Sequence, residues 1–352
     1  MDIRTFSPLP QVFLAFVLFS IAGCAGKESP LPAQLPRLAL NCSFKNDLSL
    51  SGQRGLKGVT LVAPASGPTE QGAREMHHLA EEFGVNLPRR AINPEHVPYN
   101  ANSDEMRLNL LASALVDPDT EVVWAVRGGY GSSRLLNGLA RRPLPALPKI
   151  FIGYSDMTFI HLFLQKQGWQ TVHGSMFGEM NNPVKDEANF LKLAALLAGK
   201  HKVLRYEGLK PVNRSAMEAS LPIRGSLTGG NLTCIAAASG TPWALDAAGK
   251  ILFLEDVKEP GYKIDRMLTQ LESAGLLRDV KAVILGSFSL GDANTEFALK
   301  RFAENFAGPV FQSDLFGHGA KNYPLVFNAP AVLARSGDKE THQLSIRADL
   351  LP

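Results

Sequence analysis

Strand-like apolar runs alternate with amphipathic helical segments along most of this 352-residue chain. In its first half, the pattern predicts strands at residues 59–63, 121–126 and 149–153 and helices at 69–83 and 104–115. Strands that alternate with helices form βαβ units, in which the strands are parallel and the helices cover them. The sequence therefore predicts an α/β fold with an N-terminal, mostly parallel sheet flanked by helices.

The alternation divides the chain into an N-terminal domain over residues 55–180 and a smaller α/β C-terminal domain over residues 222–352. Residues 181–221 contain a helical segment at 189–197 and are otherwise rich in loop-forming residues, which predicts a linker region. The C-terminal domain repeats the alternation, with helices predicted at 231–238, 262–273 and 295–306 and strands at 251–255 and 282–287. With 45% hydrophobic residues, the chain can build a core in each domain.

The N-terminus has the pattern of a secretory signal. Arg4 precedes an apolar run from Val12 to Ala22, and a run of about 11 residues is too short to span a bilayer. The sequence IAGC, ending at Cys24, resembles the lipobox of bacterial lipoproteins. We therefore predict a signal peptide over 1–23, lipidation of Cys24 and a tether over 24–54, with cleavage by an ordinary signal peptidase as the alternative. Ala25 after the cysteine favours a periplasmic lipoprotein anchored to the outer membrane.

Two other cysteines, Cys42 and Cys234, would remain in that oxidising compartment. Cys42 lies in the leader to the first domain, and Cys234 lies in an apolar helix, where a small buried thiol is common. We therefore predict no structural disulfide. The formal charge of +3 and the absence of a basic block argue against a nucleic-acid partner.

A serine lies where the third predicted strand gives way to a helix, in the sequence KIFIGYSDMT from Lys149 to Thr158. Gly153 permits a tight turn, and Ser155 would then stand above the sheet edge at the start of the helix. Unpaired N–H groups at a helix N-terminus can stabilise an oxyanion, so the position suits a nucleophile. Simple helix capping by Ser155 or Asp156 is the alternative.

A serine nucleophile needs a base and a group that orients the base. Glu255 ends the strand-like run ILFLE, at the sheet edge where the active sites of α/β proteins lie. His318 lies between two glycines in FGHG, which leaves its imidazole free to approach a substrate. His161 and His173 are rival bases, and we rank both below His318 because His161 leads away from the serine and His173 belongs to the sheet edge.

The sequence RGGYGSSRLL begins at Arg127, directly after a predicted strand. Gly128 and Gly129 would let backbone N–H groups approach a substrate closely, as an oxyanion hole or a carboxylate contact does. Phosphate binding is the weaker alternative, because G-x-G-x-x-G and the Walker lysine are both absent. Arg127 and Tyr130 are candidates for substrate recognition, although the arginine could equally form an internal salt bridge.

Seven ordered motifs between Gly58 and about Leu333 resemble those of the LD-carboxypeptidase family of serine peptidases, which includes the microcin-immunity hydrolases. They are RGGYGSSRLL, FIGYSDMTFIHL, HGSM, GSLTGGNLT, GTPW, ILFLEDVKEPGYKIDRMLTQL and FGHG. The resemblance implies Ser155 as the nucleophile, His318 as the general base and Glu255 as the residue that orients the histidine. It also implies two domains with the triad across their cleft, and oxyanion donors from the backbone of Asp156, Gly128 and Gly129.

The chain departs from the family after FGHG, where Pro324 to Asn328 read PLVFN in place of a segment that commonly contains Leu-Pro-Leu-Gly. Asparagine tolerates a left-handed backbone nearly as well as glycine does, so the turn is expected to persist at Asn328.

The activity that the resemblance implies is removal of the terminal D-alanine from murein tetrapeptides. A microcin-immunity-type acyl-amide hydrolase and a non-catalytic lipoprotein that binds peptidoglycan stem peptides are the alternatives. We expect no metal and no organic cofactor, because clustered metal-ligand spacing is absent and the adjacent His77 and His78 would face different directions on a helix. Members of the family are often dimers, so a homodimer is one expected state.

Overall fold

The structure, a computed structural model, describes residues 58–93, 99–180, 182–337, 340–348 and 350. The predicted signal peptide, the lipidation site at Cys24, the tether and Cys42 lie outside the described residues. The strands are β1 (Val59–Val62), β2 (Val122–Ala125), β3 (Ile150–Gly153), β4 (Thr171–His173), β5 (Val203–Pro211), β6 (Ile223–Asn231), β7 (Ile251–Val257), β8 (Ala282–Ser289), β9 (Val310–Gly317), β10 (Leu325–Phe327), β11 (Pro330–Arg335) and β12 (His342–Arg347).

Nine α-helical segments connect these strands within the described ranges. They are α1 (Glu70–Phe83), α2 (Asp104–Val116), α3 (Leu136–Leu139), α4 (Thr158–Lys166), α5 (Ala188–Leu197), α6 (Arg214–Met217), α7 (Leu232–Ala238), α8 (Gly261–Ser273) and α9 (Thr295–Asn305). In this part of the chain, every helix is too short or too polar to cross a membrane.

The first sheet has five strands in the order β1-β2-β3-β4-β10. The first three pairs are parallel, and β10 adds to β4 in the antiparallel direction. Strands β2 and β3 are buried along their whole length, as expected of parallel strands covered on both faces. The prediction of an α/β fold with a mostly parallel sheet is confirmed, with the addition that its last strand comes from residues assigned to the C-terminal domain.

The second sheet is a closed seven-stranded barrel in the order β11-β12-β5-β9-β8-β7-β6. Strands β6 to β9 are parallel neighbours, and the remaining pairs are antiparallel. Strand β5 lies inside the segment predicted as a linker region, so this part of the segment belongs to the barrel. The buried Leu204 and Tyr206 alternate with charged residues as in a half-buried strand, but Gly208, beside a register shift, breaks the alternation and leaves only a short pattern in the sequence.

The sheet and the barrel meet near the carboxyl ends of their parallel strands. The backbone N–H of Asn231, the last residue of β6, donates to Thr158 Oγ1 at the start of α4, over 3.0 Å. A Cβ atom at Gly230 would lie 2.6 Å from the same oxygen, so the close approach requires glycine. The turn predicted at the departure from the family is also present, since Asn328 has a φ of +61°.

Candidate active site

Ser155 occupies a strained turn between β3 and α4. It begins a short 3-10 turn, Ser155–Met157, and has a φ of +62°, a left-handed value that serine rarely adopts. Such a backbone conformation costs on the order of 1–3 kcal/mol and persists only where the surroundings enforce it. The residues on both sides, Tyr154 and Asp156, are buried, whereas Ser155 itself is partly exposed. The turn therefore presents the hydroxyl at the surface of the strand ends.

The glycine pair after β2 lies directly against this serine. A Cβ atom at Gly128 would lie 3.0 Å from Ser155 Cβ and 3.2 Å from its Oγ. Gly129 has a φ of +104°, and a side chain there would collide with Ser66. Ser66 holds the loop by accepting a bond from the N–H of Tyr130 and donating one to the carbonyl of Tyr99. The backbone of this loop thus forms one wall beside the hydroxyl.

The side chain of Asp156 fixes the same loop from the other side. Its carboxylate accepts a hydrogen bond from the N–H of Ser132 at 2.8 Å, and the Ser132 hydroxyl donates to the Asp156 carbonyl at 2.6 Å. Burial raises the pKa of this carboxyl group, although its hydrogen bonds oppose the shift. The side chain of Asp156 therefore has a structural role, and only the backbone of this residue is left to face the serine.

His318 and Glu255 form a close pair. The imidazole Nδ1 lies 2.5 Å from Oε2 of Glu255, whose side chain has no exposed surface. Gly317, with a φ of +107°, makes the approach possible, because a Cβ atom there would lie 3.0 Å from the carboxylate. Because Nδ1 faces Glu255, Nε2 is the ring nitrogen that is left to act as a base. This is the arrangement in which a carboxylate orients a histidine base.

Opposing effects set the pKa of His318. Burial lowers it, but the negative charge and the hydrogen bond of Glu255 more than offset burial, so the pKa lies above its usual value of 6.5. The ring of Tyr154, the residue before Ser155, packs against the imidazole with centroids 4.7 Å apart. The serine turn and the histidine are therefore neighbours in space, although they are far apart in sequence.

Glu255 is held in turn by the ends of β6 and β7. Asn231 Nδ2 contacts Glu255 Oε1 at 3.4 Å and Asp256 Oδ1 at 2.9 Å. The second oxygen of Asp256 accepts bonds from the N–H and the hydroxyl of Thr233. Burial and the neighbouring Glu255 raise the pKa of Asp256. The carboxylate that faces His318 thus has a fixed position.

The two rival histidines are placed differently. His161 is fully buried in α4, where its Nε2 contacts the Gly153 carbonyl at 2.9 Å, and burial lowers its pKa to about 4. His173 is also fully buried, among the rings of Tyr154 and Phe327, and burial lowers its pKa well below 6.5. Both rings are neutral at pH 7 and belong to the core beneath the site.

A metal site would require several ligand side chains close together. Within the described ranges, there is no group of three or more His, Cys, Asp or Glu side chains that could bind an ion. Cys234 is a free, buried thiol whose Sγ lies 3.7 Å from the Ser155 carbonyl oxygen. Burial raises the pKa of this thiol well above its usual value, so it remains protonated and is not a second nucleophile.

Comparison with known proteins identifies the family of this chain. The sequence models of the LD-carboxypeptidase N-terminal and C-terminal domains match residues 59–174 and 224–333. A relative from Rickettsia conorii is 40% identical over 279 residues, which cover 79% of this chain and 88% of the relative. This chain belongs to the LD-carboxypeptidase family. The murein tetrapeptide carboxypeptidase of Pseudomonas aeruginosa is 33% identical over 294 residues, covering 78% of this chain and 92% of that protein.

Other members of the LD-carboxypeptidase family show how far the likeness extends. The microcin C7 self-immunity protein MccF of Escherichia coli is 28% identical over 221 residues, covering 55% of this chain and 64% of that protein. The crystal structure of muramoyltetrapeptide carboxypeptidase from Oxalobacter formigenes superposes with a TM-score of 0.70 at 27% identity, over 82% of this chain and 98% of that one. The two-domain fold is therefore that of the LD-carboxypeptidase family.

The two residues singled out for substrate recognition lie at the rim of the candidate site. Arg127 is exposed and donates one hydrogen bond, to the Gly67 carbonyl at 3.3 Å. The ring of Tyr130 is half exposed and meets the ring of Tyr99 edge to face, with centroids 5.7 Å apart. The structure pairs the Arg127 guanidinium with no carboxylate among the described residues, so the internal salt bridge considered from the sequence is absent there.

Sequence reasoning did not single out several polar residues of the site: Asn231, Asp256, Tyr154, Glu179 and Lys185. Asn231 could have been identified from the sequence, because it ends the GGN motif at the end of a strand that neighbours the one bearing Glu255. Glu179 and Lys185 had no such sequence signal, because Glu179 ends a short 3-10 turn, Lys185 lies in a loop, and both reach the site only through the tertiary fold.

Proposed function

We propose that this protein is a serine LD-carboxypeptidase that removes the terminal D-alanine from murein tetrapeptides. The observation that carries the proposal is the pairing of His318 with the buried Glu255 beside the strained turn of Ser155. The likeness to a murein tetrapeptide carboxypeptidase supports the choice of substrate class. Cell-wall turnover or recycling would be the setting of this reaction.

The proposed mechanism assigns one role to each member of the triad. Ser155 Oγ attacks the carbonyl carbon of the bond between the third residue and D-alanine, while Nε2 of His318 accepts the hydroxyl proton. Glu255 holds Nδ1–H and stabilises the imidazolium that forms. His318 then returns the proton to the leaving D-alanine amine. In the second half, His318 activates the water molecule that hydrolyses the acyl-enzyme, and Ser155 is regenerated.

The negative charge that develops on the carbonyl oxygen requires hydrogen-bond donors that are already in position. We assign this role to the backbone N–H groups of Asp156 and of the pair Gly128 and Gly129. The loop bonds of Ser66 and Asp156 hold these groups in place, and preorganised donors of this kind each contribute roughly 10²–10³-fold to the rate.

Selectivity for a carboxypeptidase substrate requires a group that recognises the free carboxylate of D-alanine. Arg127 is the candidate, because its guanidinium is exposed one residue from Gly128 and can bind a carboxylate through two parallel hydrogen bonds. Tyr130, exposed on the same loop, would pack against the stem peptide.

The N-terminal sequence supports a periplasmic location. We propose that Cys24 carries the lipid anchor, that the protein is held at the outer membrane, and that it acts there as a monomer or a homodimer. Replacement of Cys24 by Ser would abolish incorporation of labelled palmitate. Palmitate incorporation that persists in that variant would contradict the anchor.

The test of the activity uses a soluble form that begins after Cys24. This form is incubated with disaccharide-tetrapeptide, and loss of one alanine is followed by mass spectrometry, with Ser155→Ala in parallel. Conversion to the tripeptide by the wild type alone supports the proposal. Binding without conversion by either protein would favour a non-catalytic stem-peptide-binding protein, and conversion by both would exclude Ser155 as the nucleophile. A peptidyl-nucleotide substrate in the same assay discriminates the microcin-immunity type of activity.

A further inference from the structure

A buried tyrosine and a largely buried glutamate and lysine form a group beside the triad, joined by hydrogen bonds and an ion pair. The Tyr154 hydroxyl donates to Glu179 Oε1 at 2.5 Å. The Lys185 ammonium lies 3.3 Å from the same carboxylate oxygen and 3.2 Å from the Tyr154 hydroxyl oxygen. Only 9% of the Lys185 side chain and 16% of the Glu179 side chain are exposed. Both charges are therefore largely removed from solvent and compensate each other.

The group connects the backbone segments on which the nucleophile and the base lie. Tyr154 directly precedes Ser155. Lys185 makes its third contact with the carbonyl oxygen of Gly319, the residue after His318, at 3.0 Å. Glu179 is itself anchored, since its Oε2 accepts the N–H of Met176 at 3.0 Å.

The contacts of the Lys185 ammonium are made to the protein itself. It donates hydrogen bonds to the Tyr154 hydroxyl and the Gly319 carbonyl, and it forms an ion pair with the Glu179 carboxylate. These contacts indicate a positioning role.

We propose that Lys185 and Glu179, acting with Tyr154, form a clamp that fixes the loop of His318 against the turn of Ser155. The proposal rests on the proposed function, because it assigns the clamp to the same nucleophile and base. Tyr154 contributes in two ways, since its hydroxyl belongs to the clamp and its ring packs against the imidazole at 4.7 Å. A displacement of about 1 Å between reacting groups can cost roughly 100-fold in rate, so such a clamp matters for the chemical step.

The clamp also contributes charge near the imidazole. The groups that face His318 are Glu255 on β7, Tyr154 before the serine turn, Glu179, Lys185 and the buried His173 on β4. Burial lowers the pKa of His318, Glu255 raises it most, Lys185 lowers it and Glu179 raises it. Burial and Glu179 raise the pKa of Tyr154 well above 10, so the phenol stays neutral and continues to donate.

Four variants of the soluble form separate positioning from folding. Lys185→Met removes the ammonium but keeps the aliphatic length, and Glu179→Gln removes the opposite charge. The double variant Lys185→Met/Glu179→Gln leaves no uncompensated buried charge, and Lys185→Arg restores a cation. Lys166→Met, at the exposed end of α4, is the matched control. For each we would measure kcat and KM on disaccharide-tetrapeptide across pH, the rate at which a fluorophosphonate labels Ser155, and the imidazole titration of His318 by NMR.

We expect Lys185→Met to lower kcat by up to about 100-fold while KM changes by less than about threefold. Its His318 pKa rises, because a positive neighbour is lost, so the acid limb of kcat/KM moves to higher pH. Glu179→Gln moves the limb to lower pH. Lys185→Arg recovers the wild-type profile, and the double variant remains slow because the link to Gly319 is still missing. Lys166→Met behaves as the wild type.

The clamp is overturned if Lys185→Met and Glu179→Gln leave both the His318 titration and the labelling rate of Ser155 unchanged. It is also overturned if their losses only follow a smaller folded fraction, measured by thermal unfolding. If Lys185→Met does not fold, the proposal is tested by the His318 titration and the Ser155 labelling rate of Lys185→Arg and Glu179→Gln. Neither the titration nor the labelling needs the tetrapeptide, so an inactive wild type would refute the proposed function and still leave the clamp decided.

Discussion

The imidazole Nδ1 of His318 and the carboxylate of Glu255 lie 2.5 Å apart, although they belong to the ends of two strands that are not neighbours in the barrel. Strand β8 separates β7 from β9, and the loop after β9 bends back across the strand ends to make the contact. Gly317 provides the bend with its left-handed backbone. A pair built from the ends of parallel strands in this way can face a serine carried by a different sheet.

Replacement of Glu255 by Gln should change the pH dependence of the reaction. The carboxylate raises the pKa of His318 above 6.5, so in the wild type kcat/KM falls as pH drops through a value above 6.5. Gln keeps the shape but not the charge, so the acid limb moves to lower pH and kcat falls. The pH profiles of kcat/KM for the two proteins measure this shift. An acid limb that stays in place would show that Glu255 does not set the charge state of the base.

Two replacements of Ser155 should separate catalysis from strain. Ser155→Ala and Ser155→Gly both remove the nucleophile, and we expect each to lower kcat by roughly 10⁴-fold or more. Only glycine adopts a φ of +62° without strain, so Ser155→Gly should be more stable than Ser155→Ala by about 1 kcal/mol. Urea unfolding of the two inactive variants gives the comparison directly. Equal stability would mean that the turn stores no strain at this residue.

The sequence predicts the parallel sheet well because its strands are short, continuous apolar runs that end at glycine or polar residues. The same signal predicts Ser155 and Glu255 as strand-end residues, and the two glycines beside His318 mark its loop. Strand β5 escapes prediction because Gly208 interrupts the alternation that begins at Leu204 and Tyr206, which leaves too short a periodic run. The closure of the barrel escapes because the alternation within a strand does not specify which distant strand it pairs with.

The clamp residues could not be predicted because nothing local in the sequence specifies them. Lys185 lies in a loop before α5, and its contact with Gly319 spans more than 130 positions. A lysine in a loop is usually exposed, and only the fold shows that this one is buried against Glu179 and Tyr154. The strand-end residues have a sequence signal because position in a sheet is regular, whereas loop contacts depend on the complete tertiary structure.

Gly128→Ala should impair the chemistry more than the fold. Its added methyl group would lie 3.0 Å from Ser155 Cβ and 3.2 Å from Oγ, which forces the serine turn or the loop to move by a few tenths of an ångström. We expect kcat to fall by about tenfold or more, because the loop also carries the proposed oxyanion donors. Gly337→Ala, where an added methyl group would meet open space, is the control. Kinetics and thermal unfolding of both variants measure the effect, and an unchanged kcat for Gly128→Ala would place the loop away from the reacting atoms.

Acid should destabilise the protein through His161. Burial lowers its pKa in the folded protein to about 4, below the unfolded value of 6.5. Between these values the unfolded chain binds a proton that the folded protein does not, so this contribution to stability is present above pH 6.5 and is lost as pH falls toward 4. Between pH 6.5 and 4.5 the loss amounts to roughly 2–3 kcal/mol.

His161→Gln does not titrate, and it retains an N–H donor for the Gly153 carbonyl. Its free energy of unfolding should therefore fall less over this interval than that of the wild type. Urea unfolding at both pH values provides the measurement, with His78→Gln on the exposed face of α1 as the control. The same fall in the His161→Gln variant and the wild type would show that His161 is not held neutral by burial.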